Sequence, residues 1–263
     1  MPVAVCLYHN YVLIRNITTG HLILQKMKIH LVLLIFIACI AFGSQPRERP
    51  ATFCGDPAQP DYTLIQDPFF EDQDFGQPGI ILETVYGDAS LHWFMIYQNG
   101  IDFKPYRAMN IPSNSTVFID VPMSCHSFAG RIVRGSIVNF DSRAHNLGTW
   151  TEVSWENYPR AYGGVSVIEG NDGAVLFQSE DIGAPIMGFP NNLIPIAPEE
   201  CRTIKDGQSP ALKPTDKDGY DQQTREFTMG ILDDERVSIH KNYTATVMSH
   251  SGRFKVTFLY GYH

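Results

Sequence analysis

From Ile80 onward the chain is built of short apolar runs divided by turn residues, a texture that predicts strands. The expected strands are Ile80–Val85, His92–Gln98, Thr116–Val121, Gly130–Arg134, Thr149–Trp155, Val165–Ile168, Ala174–Gln178, Arg236–His240, Thr244–Met248 and Arg253–Tyr260. The last alternates most cleanly. Phe254, Val256, Phe258 and Tyr260 fall on one face, with Arg253, Lys255 and Thr257 on the other. Period two with one apolar face marks a half-buried antiparallel strand. Asn99-Gly100 and Ser251-Gly252 read as turns, and Asn171-Asp172-Gly173 as a hairpin turn between Val165–Ile168 and Ala174–Gln178. Helical signal is confined to Tyr220–Leu232, where Phe227 and Ile231 share a face. Residues 182–216 are proline-rich and read as a long ordered loop. The pattern predicts an all-β antiparallel sandwich with long loops and at most one or two short helices.

The amino-terminal part has a different texture. Residues 1–43 hold no Asp or Glu, and Leu31–Gly43 is a 13-residue apolar run preceded by Lys26 and Lys28. Ala41, Phe42 and Gly43 then supply the small-x-small pattern of a cleavage site. A transmembrane helix needs about 20 apolar residues. The run is therefore read as a signal peptide, its compact start at Met27 and residues 1–26 an upstream extension. Residues 44–79, rich in Pro, Gln and Asp, are expected to be an extended leader, with the sandwich at 80–263. The product is expected to be secreted and extracellular, without stable membrane insertion.

Composition narrows the partners. Residues 44–263 carry 17 Lys and Arg against 28 Asp and Glu. Such a surface repels nucleic acid and anionic membranes and leaves neutral polysaccharides open. Cys54, Cys125 and Cys201 allow one disulfide and one spare thiol in an oxidising compartment. All three pairings are open; with Cys54 in the leader, Cys125–Cys201 is favoured. Asn114-Ser115-Thr116 and Asn242-Tyr243-Thr244 are N-glycosylation sequons. A monomer is expected.

Candidate chemistry is sparse. Glu152 and Glu169 fall on two expected neighbouring strands. Carboxyls ~6.5–9.5 Å apart suit an inverting glycosidase. Trp150, Trp155, Tyr158 and Tyr162 are candidate stacking surfaces for a sugar, and Arg131 a candidate charge beside them. His92, His126 and His145 lack metal-ligand spacing, and Asp216–Asp221 reads as a turn in preference to a calcium loop. No metal or cofactor is expected. There is no Gly-x-Ser-x-Gly elbow and no phosphate loop.

Four segments carry a resemblance. Phe128-Ala129-Gly130-Arg131-Ile132-Val133-Arg134-Gly135, Asn139-Phe140-Asp141, Gly148-Thr149-Trp150-Thr151-Glu152-Val153 and Gly164-Val165-Ser166-Val167-Ile168-Glu169-Gly170 follow in order. Together they resemble the central strands of the thaumatin-like superfamily. They are most similar to its cysteine-poor secreted fungal members, which also end on a strand like Gly252–Phe258. The resemblance implies a thaumatin-like sandwich with an acidic cleft. Arg131 stands at the cleft's arginine position and Glu152 at its glutamate position. The first aspartate position falls on Gly164 and the second on Glu169. The resemblance, with the acidic charge and the incomplete acidic set, leads to the expectation of a non-enzymatic binder or effector at a cell wall or host surface, its partner β-glucan or an unknown protein. The alternative it implies is a β-1,3-glucan hydrolase with Glu152 as base and Glu169 as acid.

Overall fold

Alternation of buried and open side chains sets the faces of two sheets. The computed structural model describes residues 72–85, 91–98, 107–120, 128–135, 147–157, 160–205, 209–216, 220–241 and 245–261. In the carboxyl-terminal strand β13 (Arg253–Gly261), Phe254, Val256 and Phe258 are fully buried, and the intervening Arg253, Lys255 and Thr257 are half-buried. β13 is the middle of a five-stranded sheet ordered β4 (Thr116–Asp120), β1 (Gly79–Thr84), β13, β8 (Gly173–Ser179), β9 (Ile186–Phe189). A six-stranded sheet is ordered β12 (Val247–Ser249), β7 (Arg160–Ser166), β6 (Trp150–Asn157), β5 (Phe128–Gly135), β2 (Leu91–Gln98), β3 (Arg107–Pro112). A ribbon of β10 (Arg202–Lys205) and β11 (Ser209–Leu212) completes the set. One unit, Ala51–His263, contains them all.

The inner faces meet in one aromatic core. Trp155 of β6 packs edge-on against Phe254 of β13 at 5.6 Å and against Phe128 of β5 at 6.1 Å. Phe94 of β2 lies 4.8 Å from Phe258, and Phe177 of β8 lies 4.9 Å from Phe254. Gly163 shows how closely the layers approach. A Cβ there would come within 2.4 Å of the Phe177 ring, so only glycine fits. The architecture is an all-β sandwich, as expected from the periodicity.

Several expectations are corrected. The sandwich is not purely antiparallel, because β1 runs parallel to β13. These strands come from opposite ends of the domain's sequence, so no tight turn forces them to oppose. Asn171-Asp172-Gly173 is not a hairpin turn. β7 belongs to the six-stranded sheet and β8 to the five-stranded one, so the chain crosses between layers there. Residues 236–240 form no strand; Ser238 makes a single parallel bridge to Ser166, while Val237 and Ile239 are buried. Their alternation reports burial without a ladder. The expected loop at 182–216 contains β9, β10, β11 and two short 3-10 turns, Ile194–Ile196 and Glu199–Cys201. β3 was likewise not expected.

The helix forms as α1 (Gln222–Met229), started by Asp221, whose carboxylate accepts from Thr224 N at 2.8 Å. This uses the aspartate of the weak calcium-like segment as a helix cap. Among the described residues no helix is long and apolar enough to cross a membrane.

The end of the expected leader lies against the sandwich. Asp74 takes the Arg253 guanidinium in a two-pronged pair at 2.9 and 2.8 Å. Asp72, nearly buried, pairs with Arg107 at 2.6 Å.

Candidate functional site

Strand register brings several sequence-selected residues onto the outer face of the six-stranded sheet. Inner positions on β6 are Thr151, Val153 and Trp155; Trp150, Glu152 and Ser154 therefore face outward. Across the strands, Tyr97 pairs with Arg131, Arg131 with Glu152, and Glu152 with Gly164. The next row holds Met95, Val133, Trp150 and Ser166. Met95, Tyr97, Ala108, Val133 and Trp150 form a second, smaller apolar cluster, with Trp93 packed against it.

Arg131 is only 1 % exposed. Its guanidinium lies 4.2 Å from the Trp150 ring centre and 4.6 Å from that of Tyr97. A delocalised cation over two aromatic faces is well suited to such burial. Glu152 is half-buried and directly opposite Arg131. Directly opposed residues hold their Cβ atoms ~4.5–5.5 Å apart, where opposite charges attract. Arg131, Trp150 and Glu152 are thus gathered on one face, packed into the sheet surface.

The far end of that row is closed. A Cβ on Gly164 would meet the carbonyl oxygen of Ala245 at 2.2 Å. The backbone at 245 occupies the space into which a side chain at 164 would project. Glu169 lies past the end of β7, and its main-chain oxygen accepts from Gly148 N at 3.1 Å. Gly148 precedes Glu152 by four residues, so roughly 13 Å of extended chain separates the two levels. Glu169 is also only 7 % exposed. The register therefore does not set the two glutamates opposite each other.

The other expected residues fall as follows. Trp155 is in the core, 1 % exposed, and its Nε1 donates to Gly252 O at 2.9 Å. It is corrected from a stacking surface to a core residue, because odd positions of β6 face inward. Tyr162 is half-buried on the outer face, paired with Ser154 and Met248. Tyr158, Cys54, Cys125, Asn242, His126 and His145 lie outside the described residues. Cys201 is buried in the core with a free thiol, and Cys125, the partner expected for it, is outside the described residues. Asn114 is exposed. Among the described residues no group of His, Cys, Asp or Glu side chains is placed to hold a metal ion.

Sequence reasoning missed a buried charged cluster around Asp172. Asp172 is fully buried, with Arg134 Nη2 at 3.2 Å and Lys205 Nζ at 2.6 Å. Thr149 N donates to its Oδ1 at 3.0 Å, and Lys205 also donates to Arg134 O. Arg134 reaches on to Leu259 O at 3.0 Å. Burial pushes the Asp172 carboxyl up, but the Lys205 and Arg134 charges outweigh it and hold it down at about 2. The group joins β5, the start of β8, β10 and β13, and so ties all three sheets together. Its partners are 38 and 33 residues from Asp172 in sequence, with no local signal linking them.

Fold and site together define an all-β sandwich whose outer charged row is built into the sheet. No protein-family model matches the chain, and no curated protein matches it.

Proposed function

We propose that this protein is a secreted β-sandwich that acts by binding at a cell wall or host surface, without hydrolysing its ligand. The observation that carries the non-catalytic part is Gly164 beneath the Ala245 carbonyl. That contact removes a carboxylate from the cleft which the resemblance supplies. Arg131, stacked on Trp150 and Tyr97, and the nearly sealed Glu169 point the same way. The export reading rests on the amino-terminal sequence.

The ligand class proposed is a neutral β-glucan. The acidic balance disfavours polyanions, and the half-buried Trp93 and Tyr162 remain as open aromatic edges on the outer face. The test is retention of the protein on insoluble β-1,3-glucan, chitin and cellulose, with sugar release from soluble β-1,3-glucan measured in parallel. Retention on glucan without sugar release is expected. Retention on none of the polymers removes the carbohydrate part and leaves a protein target. Sugar release that Glu152→Gln abolishes overturns the non-catalytic reading.

A further inference from the structure

The turn between β3 and β4 has a feature that neither the sheet nor the outer-face row requires. Both strands are edges of their sheets, so residues 113–115 join the two layers at one rim of the sandwich. The turn is fixed from below by Thr84. Its Oγ1 donates to Pro112 O at 2.7 Å and accepts from Ser115 N at 3.1 Å, and its own N–H donates to Ser115 O at 2.9 Å. Ser115 is thereby held half-buried, while Asn114 and Thr116 on either side are exposed. Asn114 takes a left-handed φ of 56°. Among the described residues it is the one non-glycine residue with positive φ, a conformation that asparagine tolerates better than most.

Asn114 and Thr116 are the first and third residues of an Asn-x-Ser/Thr triplet, the positions that must supply the amide and the hydroxyl. We propose that Asn114 carries an N-linked glycan. The proposal rests on the export reading, since the modification belongs to the secretory route. In the reaction, the Asn114 amide nitrogen bonds to the anomeric carbon of a lipid-pyrophosphate-linked oligosaccharide. The bond from that carbon to the pyrophosphate oxygen breaks, the amide loses one proton, and the lipid pyrophosphate leaves. In the folded domain the glycan extends into solvent from a rigid turn, where a bulky polar group costs no packing. It stands at the point where the two edge strands meet.

The test uses two forms of the full chain made in a secreting eukaryotic cell line. One keeps its own residues 1–43; the other has them replaced by a known secretion signal. Peptides from each are treated with a glycosidase that releases amide-linked glycans and turns the carrying Asn into Asp. Conversion at Asn114 in both forms, abolished by Thr116→Ala, is expected. If both forms reach the medium with Asn114 unconverted, the glycan proposal is overturned. If only the form with the replaced signal is converted, the glycan site stands and the export reading falls.

Discussion

Arg134 and Asp172 meet at 3.2 Å with both side chains sealed from solvent, although one lies on the six-stranded sheet and the other opens the five-stranded one. Removing one member of such a buried pair leaves charge without its counterpart, at a cost of about 3–5 kcal/mol. Asp172→Asn is therefore expected to lower stability by that order. It keeps the volume and one acceptor oxygen, so the loss reports charge and not a cavity. A urea titration reads it as a lower midpoint with unchanged slope. A loss below about 1 kcal/mol would show that Arg134 and Lys205 do not depend on this carboxylate.

The same carboxyl sets a dependence on acid. Its folded value, about 2, lies below the ordinary 3.8. A depressed value means that the unfolded chain takes up the proton first as pH falls. The stabilisation is thus complete above about pH 4 and is lost between about 4 and 2, with a size of roughly 2 kcal/mol. Asp181 adds to the same window. Burial raises its carboxyl, but Ser251, His250 and Ser179 donate to it and bring it down to about 2. Melting temperature is expected to hold steady down to about pH 4 and then drop, less steeply in Asp172→Asn. A wild-type curve no steeper than the variant's would contradict this.

The strands were legible wherever one face is apolar, as in β13, because burial and periodicity report the same thing. Position in the sandwich was not legible. Asp172-Gly173 carries a turn signature, yet the strands on either side enter different sheets, and nothing local distinguishes a hairpin from a crossing. Arg131 and Glu152 stand out in the sequence because their strands carry the motifs of the resemblance, and the register sets them opposite each other. Lys205 sits in a short strand inside a proline-rich stretch whose composition reads as loop. Trp155 stands among the aromatics Trp150, Tyr158 and Tyr162, and residue type alone does not tell core from surface; the register of β6 places it inside.

Trp155 provides a direct check on that register. It touches Phe128 and Phe254 and donates a hydrogen bond to Gly252 O. Trp155→Ala is expected to cost about 3–5 kcal/mol. Trp155→Phe keeps most of the ring packing and loses the donor, and should cost less. Glucan retention by the Phe variant should match the wild type. A variant that melts normally but no longer binds would return Trp155 to the ligand surface.

Gly164 tests whether the cleft can be rebuilt. Overpacking a sealed position costs about 1–3 kcal/mol, and a Cβ here meets backbone at 2.2 Å. Gly164→Ala is expected to destabilise by that order in a thermal melt. Gly164→Asp should destabilise further and gain no sugar release from soluble β-1,3-glucan. A stable, newly active Gly164→Asp protein would mean that the 245–246 segment yields easily and the site is only latent.

Asp72 guards the sandwich rim opposite Asn114. Its N–H donates to Phe118 O at 3.1 Å, and its carboxylate accepts from Asp120 N at 2.8 Å. A residue in a parallel neighbouring strand would make the same two bonds across Ile119, with its own carbonyl as the acceptor. Asp72 thus imitates one residue of an added strand on edge strand β4. Its pair with Arg107 extends the clasp to edge strand β3. Open strand edges template pairing with other chains. Asp72→Ala is expected to lose roughly 1.5–3 kcal/mol, the worth of hydrogen bonds to a charged group, and to self-associate as concentration rises. Asp72→Asn keeps an acceptor for Asp120 and should associate no more than the wild type while losing part of the stability. Light scattering across a concentration series, paired with thermal melts, separates the two variants. An Asp72→Ala protein that melts like the wild type and associates no more than it does would show that the edge is protected by something else.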